Sequence, residues 1–163
     1  MELVVDATVL FAAIIGKGKT NELFFKDTLR LVALPYLIKE FNGNIGTIAK
    51  ICGASEAEVK GVFEILKERI EIFPIYKFPD EIQSKAEKLA PHSKDVPYFA
   101  LALHLGCAIW SREDGFKKQD VIKVYSTPNL VDMFLVGVKP KQEDKPKSSS
   151  KAKDPASEDS KSK

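Results

Sequence analysis

Cysteine is scarce in this chain. Cys52 and Cys107 are the two in 163 residues, and both lie inside apolar stretches. They build no disulfide framework and read as small core residues in a reducing cytoplasm. Histidine is as rare. His92 and His104 have no partner at metal-ligand spacing, which argues against a zinc site. No apolar run approaches the ~20 residues that cross a bilayer, and no secretory signal pattern is present, so no membrane contact is expected. A dominant charge is missing too. The net charge is +2, and eight Lys against five acids from Lys139 onward hold +3 of it, leaving −1 for residues 1–138. Affinity for nucleic acid would therefore come from a local patch or from the tail.

What is present is 44% hydrophobic and 29% charged, enough for one globular domain with a real core. Residues 1–138 are expected to fold. From Lys139 to Lys163 the chain is Lys, Ser, Pro and acids with no aliphatic larger than Ala, so a disordered charged tail is expected there. Such a tail suits a weak electrostatic tether to RNA or DNA, or solubility alone.

Strand and helix patterns alternate along the body, which argues a parallel α/β sheet. Leu3–Val5 reads as a buried strand stopped by Asp6, with Thr8 placed to cap a helix over 9–15. A helix over 20–27 and a strand over 30–34 follow. Residues 36–42 read as a short helix carrying Glu40, for which a solvated position is the plainer expectation. Residues 44–71 read as a helical pair. Ser55 and Glu58 form a capping box that starts the helix 56–69, with Val59, Val62, Phe63, Leu66 and Ile70 inward. A strand over 70–75, a helix over 81–90 capped by Asp80, a buried apolar helix between Asp95 and Gly106, a strand over 107–110, a strand over 121–125 and a helix from Pro128 to Val136 complete the body.

Two motifs are decoys. Gly18-Lys19-Thr20 looks like the end of a phosphate-binding loop, but Ala13 stands where that motif needs glycine, and a helix precedes it where a strand is required. The stretch from Thr47 to Val59 looks like a helix-turn-helix. Its second helix offers Glu56, Glu58 and Glu64, which would meet DNA phosphates badly. An αα-hairpin packed on the sheet is the better reading.

Asp6, Asp95 and the Glu113/Asp114 pair all fall at strand ends or helix starts, and Glu40 is placed to join them. In an open α/β sheet that edge is where ligands bind. Asp95 also suits simple capping of its helix. Several carboxylates at one edge repel each other without cations, and hard oxygen donors with no His or Cys favour Mg²⁺ or Mn²⁺. A phosphatase of the haloacid-dehalogenase type also begins with a strand and an Asp, but it wants a second Asp where Thr8 stands.

Three stretches together resemble the PIN-domain family (PilT N-terminus), which includes VapC-type toxins and RNA-processing nucleases. They are Val4-Val5-Asp6-Ala7-Thr8-Val9-Leu10, Asp95-Val96-Pro97-Tyr98-Phe99-Ala100-Leu101-Ala102 and Ile109-Trp110-Ser111-Arg112-Glu113-Asp114-Gly115-Phe116. The resemblance covers about residues 2–135. It implies a three-layer α/β/α sandwich with a mostly parallel sheet of about five strands, and a metal-dependent endoribonuclease. It places the family's acids on Asp6, Glu40 and Asp95, with the fourth on Glu113 or Asp114, and a hydroxyl on Thr8. The expected metal ligands are Asp6, Asp95, Glu113 and Asp114. Thr8, Lys19, Lys94, Ser111, Arg112 and Lys117 are the candidates to hold RNA. An antitoxin partner and a homodimer are also implied. The competing expectation is a catalytically weak or inactive PIN-fold scaffold in an RNA-processing assembly.

Overall fold

The computed structural model describes residues 1–16 and 18–136. The expected tail from Lys139 and the lysine at position 17 lie outside them. Among the described residues, five strands form one sheet: β1 (Glu2–Val5), β2 (Arg30–Ala33), β3 (Ile70–Ile72), β4 (Ala108–Trp110) and β5 (Val124–Tyr125). Their order is β3-β2-β1-β4-β5, and every pair is parallel. Helices on both faces bury such a sheet, so its strands carry no polar alternation. Leu3, Val4 and Val5 are all fully buried, as are Val32, Ala33, Ile109 and Trp110. Burying one such aliphatic side chain stabilises the fold by about 1.5–3 kcal/mol.

Among the described residues, seven helices cover the sheet: α1 (Ala7–Ile15), α2 (Lys19–Phe24), α3 (Pro35–Cys52), α4 (Glu56–Lys67), α5 (Asp80–Leu89), α6 (Val96–Leu105) and α7 (Thr127–Phe134). One layer is formed by α1 to α4 with α7, which packs on α2, and the other by α5 and α6. Right-handed crossovers require this division, because the chain steps outward from β1 to β3 and then returns to β4 on the opposite side. The result is the expected three-layer α/β/α sandwich, with a sheet parallel throughout. Aromatic pairs tie the helices in: Phe24 of α2 lies 5.3 Å from Trp110 of β4, and Phe99 of α6 lies 4.9 Å from Phe116 in the turn after β4, centroid to centroid.

Four local expectations are corrected. Residues 36–42 are not a short helix: α3 runs unbroken from Pro35 to Cys52 through Gly43 and Gly46. Each glycine costs about 1 kcal/mol in a helix interior. The buried stripe of Leu37, Phe41, Ile48 and Ala49, with Phe41 stacked 3.9 Å from Phe63, offsets that cost. Val62 does not face inward; it is exposed, while Val59, Phe63 and Leu66 carry the α4 face. Asp80 is the first residue of α5 and caps nothing, because Pro79 holds the cap position. β3 stops at Ile72 and β5 begins only at Val124, so both are shorter than their apolar runs.

The capping box stands: Glu58 N–H donates to Ser55 Oγ at 3.1 Å, and Ser55 N–H to Glu58 Oε2 at 2.8 Å. Gly53 closes α3 and Gly106 closes α6 in the left-handed region, at φ 61° and 65°. The turn at Gly53 makes α3 and α4 the expected αα-hairpin. Glu56, Glu58 and Glu64 are exposed on α4.

Candidate active site

Strand order reverses at β1, whose neighbours are β2 on one side and β4 on the other. The carboxyl ends of β1 and β4 therefore bound the crevice where open α/β sheets bind ligands. Register does the rest. Val5 lies opposite Trp110, so the next residues, Asp6 and Ser111, emerge side by side. Asp6 is 3% exposed and Ser111 1%. Ser111 Oγ–H donates to Asp6 Oδ2 at 2.8 Å, and Thr8 Oγ1–H donates to the same oxygen.

Each hydroxyl is itself aimed. Glu113 N–H donates to Ser111 Oγ at 3.0 Å, and Arg112 N–H donates to Thr8 Oγ1 at 3.3 Å. With an acceptor site on each hydroxyl occupied, its proton points to the carboxylate. This differs from capping by Thr8. The helix begins two residues earlier than expected, at Ala7, and Thr8 sits inside its first turn.

Burial pushes Asp6 up from an ordinary 3.8 to about 6. The two hydroxyl bonds oppose the rise, and the charges of Glu40 and Asp95 add to it. Asp95 is 6% exposed at the N-terminus of α6, and its side chain makes no capping bond, so the simple capping expectation is corrected. Burial raises its pKa as well; Lys94 and His92 pull it down, and Glu113 pushes it up. Glu40 comes from α3, half-buried, and accepts a hydrogen bond from the Tyr98 hydroxyl on α6. Burial, then the Glu40 bond and charge, hold the Tyr98 phenol far above its ordinary value. Tyr36, one turn before Glu40, is raised by burial and then by the Glu40 charge.

Asp6, Glu40, Asp95 and Glu113 thus share one electrostatic field. Asp114 is exposed and opens the 3₁₀ turn that follows, and the charge acting on Asp95 is that of Glu113. The cations are more scattered. Lys94 is exposed beside Asp95. Arg112 is exposed near the end of α1 and the start of α7. Lys19 pairs with Glu22 at 2.9 Å, and Lys117 donates to Asn129 Oδ1 at 3.0 Å. Lys19 also starts α2 behind a helix, not a strand, so no phosphate-binding loop is built there. Sequence reasoning passed over Tyr98 and Tyr36. The signal was helical spacing: Tyr98 is three residues from Asp95, and Tyr36 is four from Glu40.

A PIN domain model matches residues 4–126. The chain belongs to the PIN-domain family. PIN domains are generally metal-dependent nucleases. The PIN fold recurs in a solved structure of VapBC2 from Rickettsia felis bound to a DNA fragment from their promoter. It is 13% identical, covers 77% of this chain and 98% of that one, and has a TM-score of 0.60. It recurs again in PAE2754 from Pyrobaculum aerophilum, 16% identical over 82% of this chain and 88% of that one, with a TM-score of 0.62. No curated protein matches the sequence.

The donor set of this PIN domain suits a hard divalent ion. Its acids supply only oxygen, and among the described residues no Lys or Arg pairs with Asp6, Glu40, Asp95 or Glu113 within 4.0 Å. The set is not closed around a point: among the described residues, no three Asp, Glu, His or Cys side chains stand ready around one ion position. Like charges in a poorly solvated pocket keep apart. Two of the acids are also held by hydroxyls, Asp6 by Thr8 and Ser111 and Glu40 by Tyr98. No described helix is long and apolar enough to cross a membrane.

Proposed function

We propose that this PIN domain is an endoribonuclease that hydrolyses RNA phosphodiester bonds with Mg²⁺ or Mn²⁺. One observation carries the reading: Asp6 is buried at the switch point of the sheet, raised to about 6, and paired with no Lys or Arg among the described residues. A buried carboxylate in that state is costly unless something positive visits it. Asp6 and Asp95 are the principal ligands, and Glu40 and Glu113 complete the set or orient the attacking water. Glu113 is preferred to Asp114 because its backbone N–H is already tied, through Ser111, to Asp6. When bound, the ion lowers the pKa of water and offsets charge on the phosphate.

The rest of the work falls to side chains. Thr8 and Ser111 hold Asp6 by Oδ2, so Oδ1 is the oxygen left without a hydrogen bond among the described residues. Tyr98 fixes one oxygen of Glu40. Lys94 and Arg112, with Lys117 and Lys19 farther out, hold backbone phosphates without reading sequence. The fold shared with VapBC2 supports a setting as the toxin of a toxin–antitoxin pair, with an antitoxin protein as partner; a homodimer as the working form and the cytoplasm as the compartment belong to the same proposal.

The open arrangement of the acids favours one alternative, a PIN-fold RNA-binding module with little or no catalysis. The two are separated by incubating the full chain with labelled RNA and Mn²⁺, with and without chelator. Cleavage that the chelator abolishes is the expected result. RNA retained but uncut assigns the binding module.

A further inference from the structure

After β3 the chain runs from Phe73 to Pro79 without helix or strand before α5 begins, leaving the same carboxyl edge as Asp6. Between this segment and the starts of α3 and α6 lies a groove of about 550 Å³. That size falls within the range of small-molecule sites. Tyr36, Lys39, Ile75, Tyr76, Val96 and Pro97 are among its walls. Tyr76 is 85% exposed, more than any other large hydrophobic side chain among the described residues. A tyrosine at a groove rim that adds nothing to the core offers a flat face to a ligand.

The groove's walls adjoin the acids along the chain. Val96 and Pro97 follow Asp95 directly, and Tyr36 precedes Glu40 by one helical turn. Tyr36 also packs edge-on against Tyr98, 5.8 Å between centroids, and Tyr98 holds Glu40. One wall is therefore braced by the residue that fixes a candidate metal ligand. Among the described residues, Lys39 is the one charged side chain on the lining, and no acid is part of it. A cation beside aromatic faces is the pattern that binds single-stranded nucleic acid, because every base has a face to stack and every linkage carries a negative phosphate.

We propose that this groove takes one unpaired nucleobase of a single-stranded RNA, next to the phosphodiester at the acids, stacked on Tyr76 with Lys39 on the neighbouring phosphate. The inference rests on the RNA part of the reading above and adds what that reading leaves open. It makes the substrate a single strand or a loop, because a paired base is already stacked inside its helix. It makes selectivity follow stacking strength, with purines ahead of pyrimidines.

The test uses the full chain carrying Asp6→Asn, which removes cutting from the binding measurement, and a fluorescent single-stranded hexanucleotide RNA. Adding Tyr76→Ala should weaken the Kd about tenfold, and Tyr76→Trp should restore it. Replacing the bases one at a time with abasic sites should find one position whose loss costs as much, and whose effect vanishes in Tyr76→Ala. Tyr76 is so exposed that the circular dichroism spectrum of these variants should not move. A Kd unchanged within twofold in Tyr76→Ala, or no abasic position coupled to it, overturns the groove. So does a concentration-dependent mass that Tyr76→Ala abolishes, which would give the groove to a second copy of the chain. Failure of the two readings is distinguishable. Mn²⁺-dependent cleavage that Tyr76→Ala leaves unchanged in the Asp6 enzyme keeps the nuclease and ends the groove. Coupling without cleavage keeps the groove and ends the nuclease.

Discussion

The two ends of β1 carry the same kind of charge and treat it in opposite ways. At the amino end, Glu2 faces the Arg30 guanidinium at 2.5 Å, and the same arginine reaches Glu71 on β3 at 2.7 Å. One cation serves two acids, in the open, across three strands. At the carboxyl end, four residues later, Asp6 is buried with Glu40 and Asp95 in its field and no lysine or arginine paired among the described residues. The fold places arginine between acids where the sheet needs only to be soluble and registered. Where the strands open the crevice, it supplies hydroxyls, which orient a carboxylate without neutralising it. The contrast separates charge that serves solubility from charge that is kept for chemistry.

The sharpest way to break this contrast is Asp6→Asn. Mn²⁺-dependent RNA cleavage should fall on the order of 10³-fold, read by initial rates, with circular dichroism unchanged. The same substitution should stabilise the protein. Because the folded state raises Asp6 from 3.8 to about 6, the folded form binds more protons across that window, and wild-type stability declines as pH rises through it. Thermal melts should show Asp6→Asn level with wild type near pH 4 and ahead by up to ~3 kcal/mol above pH 7. Adding Mn²⁺ should raise the wild-type Tm and leave the variant's Tm in place.

Tyr98→Phe comes next. It frees Glu40, and the cost should be about tenfold or somewhat more in Mn²⁺ affinity or activity, measured by Mn²⁺ titration of the cleavage rate. At the other end of the strand, Arg30→Gln breaks both exposed pairs, yet melting should move little and cleavage not at all. A large activity loss there would erase the distinction between the two ends.

Much of this was legible in the chain. Leu3–Val5 followed by Asp6, and Cys107–Trp110 followed by Ser111, are apolar runs that stop at polar residues, and such stops mark strand ends at the crevice. Asp95 was legible through Pro97, which fixes where α6 begins. Three things were not legible. The continuity of α3 through Gly43 and Gly46 depends on Phe41 stacking with Phe63, a contact made only after α4 folds back. Glu40 read as a solvated charge because its partner, Tyr98, is 58 residues away. The roles of Thr8 and Ser111 depend on a β1–β4 register that spans most of the chain. Local propensity carries no information on pairings of that range.

That last pairing has a consequence for how the molecule comes into being. Ser111 lies 105 residues beyond the aspartate it steadies. Until Ser111 has left the ribosome, one side of the crevice is missing and the pocket is unfinished. The acids acquire their common setting only when β4 slides in against β1, so the order of synthesis itself delays the completion of the centre.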